Sequence, residues 1–86
     1  MASEEVGTPK NITGTGAINS TSCLLLGFYV NSTTAGTLVL RDGGASGTAI
    51  SGTITPAIGF HRFPAAIATS LHVTVANTID VTFFTL

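Results

Sequence analysis

The sequence predicts an all-β domain: a small antiparallel β-sandwich or barrel of about seven strands behind a flexible N-terminal arm. Three observations predict it. Glycine recurs every few residues, with 10 in the 86-residue chain, and each would cost about 1 kcal/mol in a helix interior. Thr, Val and Ile are abundant, and their branched side chains fit a pleated sheet. Apolar residues alternate at period two instead of returning after three and four positions.

Residues 1–10 carry Glu4, Glu5 and Lys10 and few large apolar groups. They read as a mobile arm, free or ordered on a neighbouring subunit. Residues 11–86 then form a single domain. Ile12 to Ile18 is a weak first strand. Ser22 to Val30 is nearly all apolar and is expected to be central, buried on both faces. Asn31 to Gly36 reads as a turn. Thr37 to Arg41 follows, with Leu38 and Leu40 on one face. Asp42 to Gly47 is a glycine-rich loop, and Thr48 to Thr55 alternates weakly until Pro56 ends it.

Phe60 to Phe63 is a short strand closed by Pro64. Ala65 to Ser70 is ambiguous and fits a crossing between sheets. Leu71, Val73 and Val75 alternate with His72, Thr74 and Ala76, a half-buried strand. Asn77-Thr78 is expected as a tight turn, and Ile79 to Leu86 as the last strand. No connection is long enough for a helical crossover, so antiparallel pairing is expected throughout.

Charge is the sharpest compositional signal. Only 8% of residues are charged, against about 25% in an average soluble protein. Solubility rests on Thr, Ser, Asn and Gly. Such a neutral surface has little self-repulsion and suits close packing against other chains. The basic residues are Lys10, Arg41 and Arg62 alone, too few for the basic stripe that nucleic acid demands. The start is acidic and lacks the basic, then apolar, signature of a secretory signal. No glycine-free apolar run, Leu24-Leu25-Leu26 included, exceeds four residues, far short of the roughly 20 residues of a membrane helix. Synthesis in the cytoplasm without a targeting address is the expectation.

The side chains for catalysis are sparse, and no catalytic residue, cofactor or metal is expected. Cys23 is the only cysteine; it opens an apolar run and reads as a buried, inert thiol. His61 and His72 have no neighbouring ligands in sequence, and His72 reads as a surface or interface residue. Nothing brings Asp42 and Asp80 together as an acid–base pair. Gly43 to Gly47 lacks the Lys-Ser/Thr of a phosphate loop. The Asn-X-Ser/Thr triplets at Asn11, Asn19 and Asn31 are expected by chance in so Ser- and Thr-rich a chain. With no disulfide or metal to staple an 86-residue domain, stability is expected from tight packing, oligomerisation or docking on a larger body. The few charged groups, Glu4, Glu5, Lys10, Arg41 and Arg62, are the expected partner-binding residues.

Certain segments carry a resemblance: Asn11-Ile12-Thr13-Gly14-Thr15-Gly16, Leu26-Gly27-Phe28-Tyr29-Val30, and Ser32 to Asp42 with its Gly36-Thr37-Leu38 and Leu40-Arg41-Asp42. Thr55 to His61 and Ile79-Asp80-Val81-Thr82-Phe83-Phe84 complete it. Together they resemble small β-rich virion structural proteins of tailed bacteriophages and prophages. The resemblance implies a capsid decoration (cement) protein that binds the major capsid protein or another virion protein as a homo-oligomer, often a trimer. Its location would be the virion, after synthesis in the host bacterial cytoplasm. A tail or head–tail accessory protein is the alternative. A carbohydrate- or surface-binding β-sandwich is a further alternative, weakened by the single tyrosine, Tyr29, and the absence of tryptophan.

Overall fold

The computed structural model describes residues 7–86. The strands are β1 (Thr8–Ile12), β2 (Gly16–Asn19), β3 (Cys23–Asp42), β4 (Thr48–Ala49), β5 (Gly59–Ile67) and β6 (Leu71–Thr85). Every pairing is antiparallel, and the six strands make one open sheet. The all-β, antiparallel class read from the residues is the observed class.

Two long strands form the spine. β3 spans 20 residues and β6 spans 15, and they pair from Leu25–Thr85 through to Asp42–Leu71. β1 and β2 line successive stretches of β6, while β5 and β4 line successive stretches of β3. The sheet therefore has a first half, β1–β6–β3–β5, and a second half, β2–β6–β3–β4.

The spine cannot be straight. At about 3.3 Å per residue, β6 would extend about 50 Å, whereas the longest dimension of the molecule is 40 Å. Inward side chains on β6 keep one parity throughout, from Leu71 and Val73 to Ile79, Val81 and Phe83, and all are buried. Among the described residues no helix covers that face, so the sheet covers it by folding over. Leu38, Leu40, Leu71 and Val73 of the second half join Leu25, Phe28, Val81 and Phe83 of the first in one core cluster. Phe28 and Phe83 meet at its centre with ring centroids 5.2 Å apart. The shortest dimension, 18 Å, suits two layers about 10 Å apart with their side chains between them, as in a small sandwich.

The fold-over occurs at residues expected to be turns. Asn31 to Gly36 does not reverse the chain, and neither does Asn77-Thr78; β3 and β6 run through both. What the turn chemistry supplies instead is a corner. Ala35 has φ 53° and Asn77 φ 62°, the left-handed conformation that bends a strand as readily as it closes a hairpin. Three register shifts accompany it in β3, near Leu26, Asn31 and Ala35. Each places an extra residue in β3, which lengthens that strand relative to β6 and sharpens the local twist. Gly36 sits buried at the corner, where a β-carbon would come within 2.6 Å of both Ile79 Cβ and the Thr78 carbonyl.

Other boundaries differ for local reasons. Of the expected arm, residues 1–6, with Glu4 and Glu5, lie outside the described residues. Thr8, Pro9 and Lys10 instead open β1, paired with Thr85, Phe84 and Phe83. The expected Ile12–Ile18 strand is broken at Thr13–Thr15, leaving β1 and β2. Of Thr48 to Thr55, only β4 and an isolated bridge from Ile54 to Leu38 are strand-like. β5 runs through Pro64, because it pairs only with β3 and an edge strand tolerates a missing N–H. Seven short strands thus become six, two of them long.

Candidate functional site

The first half of the sheet has an outer face, and its composition is unusual. A sheet packed on one side alternates apolar inward with polar outward. Here Leu24, Tyr29, Phe60 and Leu86 are 50%, 43%, 54% and 59% exposed, and Leu26 and Phe84 are half-buried beside them. Ser22–Val30 is therefore not buried on both faces, as its run of apolar residues suggested. One of its faces lines the core and the other lies open.

A bulge produces this arrangement. The register shift between Leu25 and Gly27 lets Leu25 and Phe28 both face inward, although three positions separate them. Leu24 and Leu26 are consequently turned to the other side. Gly27 gives the room: a β-carbon there would run into the His61 carbonyl and approach Phe60 Cζ at 3.0 Å. Phe60, the second residue of β5 and opposite Tyr29, can thereby lie over β3 and stand 6.2 Å from the Phe84 ring on β6. Behind it, His61 donates from Nε2 to the Ala57 carbonyl at 2.7 Å and packs on Phe28.

Two shallow hollows meet at Leu26. One is lined by Leu26, Tyr29, Phe60 and Phe84. The other is lined by Leu24, Leu25, Leu26, Arg62, Pro64, Ala65 and Ala66. Leu86 closes one end by exchanging backbone hydrogen bonds with Leu24, at 3.1 and 2.8 Å. The opposite end is polar. Asn11 Nδ2 donates to Asp80 Oδ1 at 2.8 Å and to Thr82 Oγ1 at 3.0 Å, and Asn31 Nδ2 donates to the same two oxygens at 3.1 and 3.3 Å. The outer face is thus an apolar, aromatic field with an amide–carboxylate rim.

Of the charged residues expected to bind a partner, the described ones, Lys10, Arg41 and Arg62, stand on different strands. Arg62 lies on the apolar field, at the rim of the second hollow. Lys10 is exposed on β1. Arg41 belongs to the second half, where its Nε donates to Thr74 Oγ1 at 3.1 Å and its Nη1 to the Gly47 carbonyl at 3.3 Å. Glu4 and Glu5 lie outside the described residues.

Three further groups, Asp42, Cys23 and His72, lie away from the apolar field. Asp42 ends β3, and its carboxylate accepts from the backbone N–H groups of Ala68, Thr69 and Ser70 at 2.9, 2.9 and 3.2 Å. Those hydrogen bonds hold its pKa below the usual carboxylate value. Asp42 thus fastens the β5–β6 connection, not only the glycine loop that follows it. Cys23 is buried, and burial together with the Asp42 charge pushes its thiol pKa up. His72, expected as a surface or interface residue, is buried within the chain: it stands in register between Ala17 and Arg41, and its Nδ1 has no hydrogen-bond partner. Among the described residues no three His, Cys, Asp or Glu side chains are placed to hold a metal ion.

The outer face carries no charge cluster and no catalytic motif that would mark it in the sequence. The usable signal was Tyr29, Phe60 and Phe84 at outward positions of strands whose inward positions were already apolar. No family model, curated protein or solved structure matches the chain.

Proposed function

We propose that this chain is a virion structural protein of a tailed bacteriophage, a capsid decoration protein that binds and stabilises the head lattice as a homo-oligomer. The observation that carries the reading is the apolar outer face. Leu24, Tyr29, Phe60 and Leu86 form one exposed field on the sheet, and an apolar patch of this kind marks a surface that meets another protein. The sparse charge supports it, since copies crowded on a lattice repel one another little. The resemblance of the Gly36-Thr37-Leu38 and Asp80-Val81-Thr82-Phe83 segments to phage virion proteins supplies the particle. A tail or head–tail accessory role uses the same features and differs only in the lattice bound.

The test is co-sedimentation of the purified chain with phage heads and with tails assembled without it. Saturable binding to heads, with a rise in their thermal stability, is the expected result. Binding to tails alone moves the role to the accessory alternative. Binding to neither refutes the virion reading.

A glycan-binding module is the second reading. It is favoured by Tyr29, an exposed ring flanked in register by Phe60 and Thr82, with the Asn11–Asn31–Asp80 cluster alongside. Selective binding on a glycan array, lost in Tyr29→Ala, would favour it over the virion role.

A further inference from the structure

We propose that residues 1–6 of this chain lie across the outer face of the first half as a strap. The strap enters at Gly7, covers the hollow of Leu26, Tyr29, Phe60 and Phe84, and runs towards Arg62 on β5. The proposal goes beyond the virion reading and does not rest on it.

The entry point carries the proposal. The ladder between β1 and β6 ends at Thr8 and Thr85, and Gly7, half-buried, leaves it over the face. A β-carbon on Gly7 would stand 3.0 Å from Leu26 Cδ1 and 3.3 Å from Phe84 Cβ, so its backbone lies in contact with both side chains. Leu26 belongs to β3, on the far side of β6 from β1. A residue that touches it therefore stands above the sheet, not beside its edge. Glycine suits this seat, because any side chain aimed at Leu26 would hold the backbone further off. Leu26 and Phe84 also line the first hollow, so the chain is already at the hollow when it reaches Gly7.

Length and residue types fit as well. Phe84 on β6, Gly27 on β3 and Arg62 on β5 stand in one row across the sheet. Two strand spacings of about 4.8 Å make that row about 10 Å long. Residues 1–6 reach about 20 Å at 3.3 Å each, enough to cross it. Val6, next to Gly7, brings an apolar side chain to the apolar end of the row. Glu5 and Glu4 follow at about 7–10 Å from Gly7, the distance of the guanidinium end, where a carboxylate is complementary to Arg62. A strap one chain wide leaves Leu24 and Leu86 open at the far end of the field.

Tyr29 is the only tyrosine and the chain has no tryptophan, so its fluorescence reports on the hollow alone. Acrylamide quenching is measured on the full chain, on a chain lacking residues 2–6, and on the full-length Val6→Ser/Glu4→Gln/Glu5→Gln variant. Each is measured at about 1 µM and about 100 µM, a range that separates intramolecular from intermolecular contact. The quenching constant is expected to rise about twofold in both altered chains, as the half-exposed ring loses the segment packed on it. In the full chain it is expected to be the same at both concentrations. If the truncated chain does not fold, the triple variant decides. Equal quenching in the full and altered chains overturns the proposal. So does shielding of the full chain that disappears on dilution, which would assign the face to a second copy. A chain that shows the strap but binds neither heads nor tails refutes the virion role and leaves the strap standing.

Discussion

Replacing Gly36 with alanine separates two opposed physical effects by their sign. Gly36 has no positive φ, so alanine fits its backbone. If only the unfolded chain mattered, the substitution would stabilise by about 0.4–1 kcal/mol. The corner predicts the reverse. A β-carbon at position 36 would stand 2.6 Å from Ile79 Cβ, 2.6 Å from the Thr78 carbonyl oxygen and 2.9 Å from Thr33 Oγ1. Carbon atoms prefer about 3.5–4.0 Å, so the overlap with Ile79 is about 1 Å. Neither the carbonyl nor a branched Cβ can swing aside, so β3 and β6 must separate where the sheet folds over. Overpacking of this kind costs about 1–3 kcal/mol, and with two such clashes at one site the upper end applies. After the unfolded-state gain the net loss is about 2 kcal/mol, or roughly 8–16 °C in Tm for a domain of this size. Gly14, with nothing within 4 Å of a β-carbon, is the control, and Gly14→Ala is expected to leave Tm unchanged or slightly raised. Calorimetry at one fixed protein concentration checks both, because an oligomer's Tm depends on concentration. A Gly36→Ala protein as stable as wild type would show that the two strands do not cross closely at residues 33–36 and 78–79.

Phe83 is fully buried against Phe28, so Phe83→Ala is expected to cost about 3–5 kcal/mol in a urea titration, whereas Phe84→Ala costs much less. Asp42 has a folded-state pKa below its ordinary value; its stabilisation is therefore complete above about pH 4 and is lost as pH falls through the folded pKa. Asp42→Asn should lower Tm at pH 7, and the gap from wild type should close on acidification; a gap constant from pH 7 to 2 would contradict the role of the three backbone bonds. His72→Leu removes a buried nitrogen that lacks a partner, so Tm should rise or stay level, since an unsatisfied buried polar group costs about 1–3 kcal/mol. The Cys23 thiol, buried and raised in pKa, should react with an aromatic disulfide reagent only on unfolding; rapid native-state labelling would contradict its burial.

The inward half of the pattern was legible because it is local. Leu38 and Leu40, and Leu71, Val73 and Val75, alternate at period two, and the structure places them on the core side. The places of the bends were legible as well, since Ala35 and Asn77, the two non-glycine residues with positive φ, fall within the segments read as turns. What a left-handed residue does was not legible. It closes a hairpin when the flanking segments pair with each other, and it makes a corner when both continue along a third. The outer face was hidden for a related reason. In an apolar run such as Leu24-Leu25-Leu26, period two cannot say which residues face in until the bulge at Leu26 is known.

The residues by themselves determined that this chain is a sheet, because branched side chains, recurrent glycine and period-two alternation leave no helix able to bury its apolar groups. They also determined which side chains of each simple strand face the core. Only the tertiary structure decided that the supposed turns are corners in two long paired strands, and that Leu24, Tyr29, Phe60 and Leu86 share one open face. Both depend on which distant strand supplies the hydrogen-bonding edge. Asp42 meeting Ser70 and Leu24 meeting Leu86 are contacts that no local preference encodes.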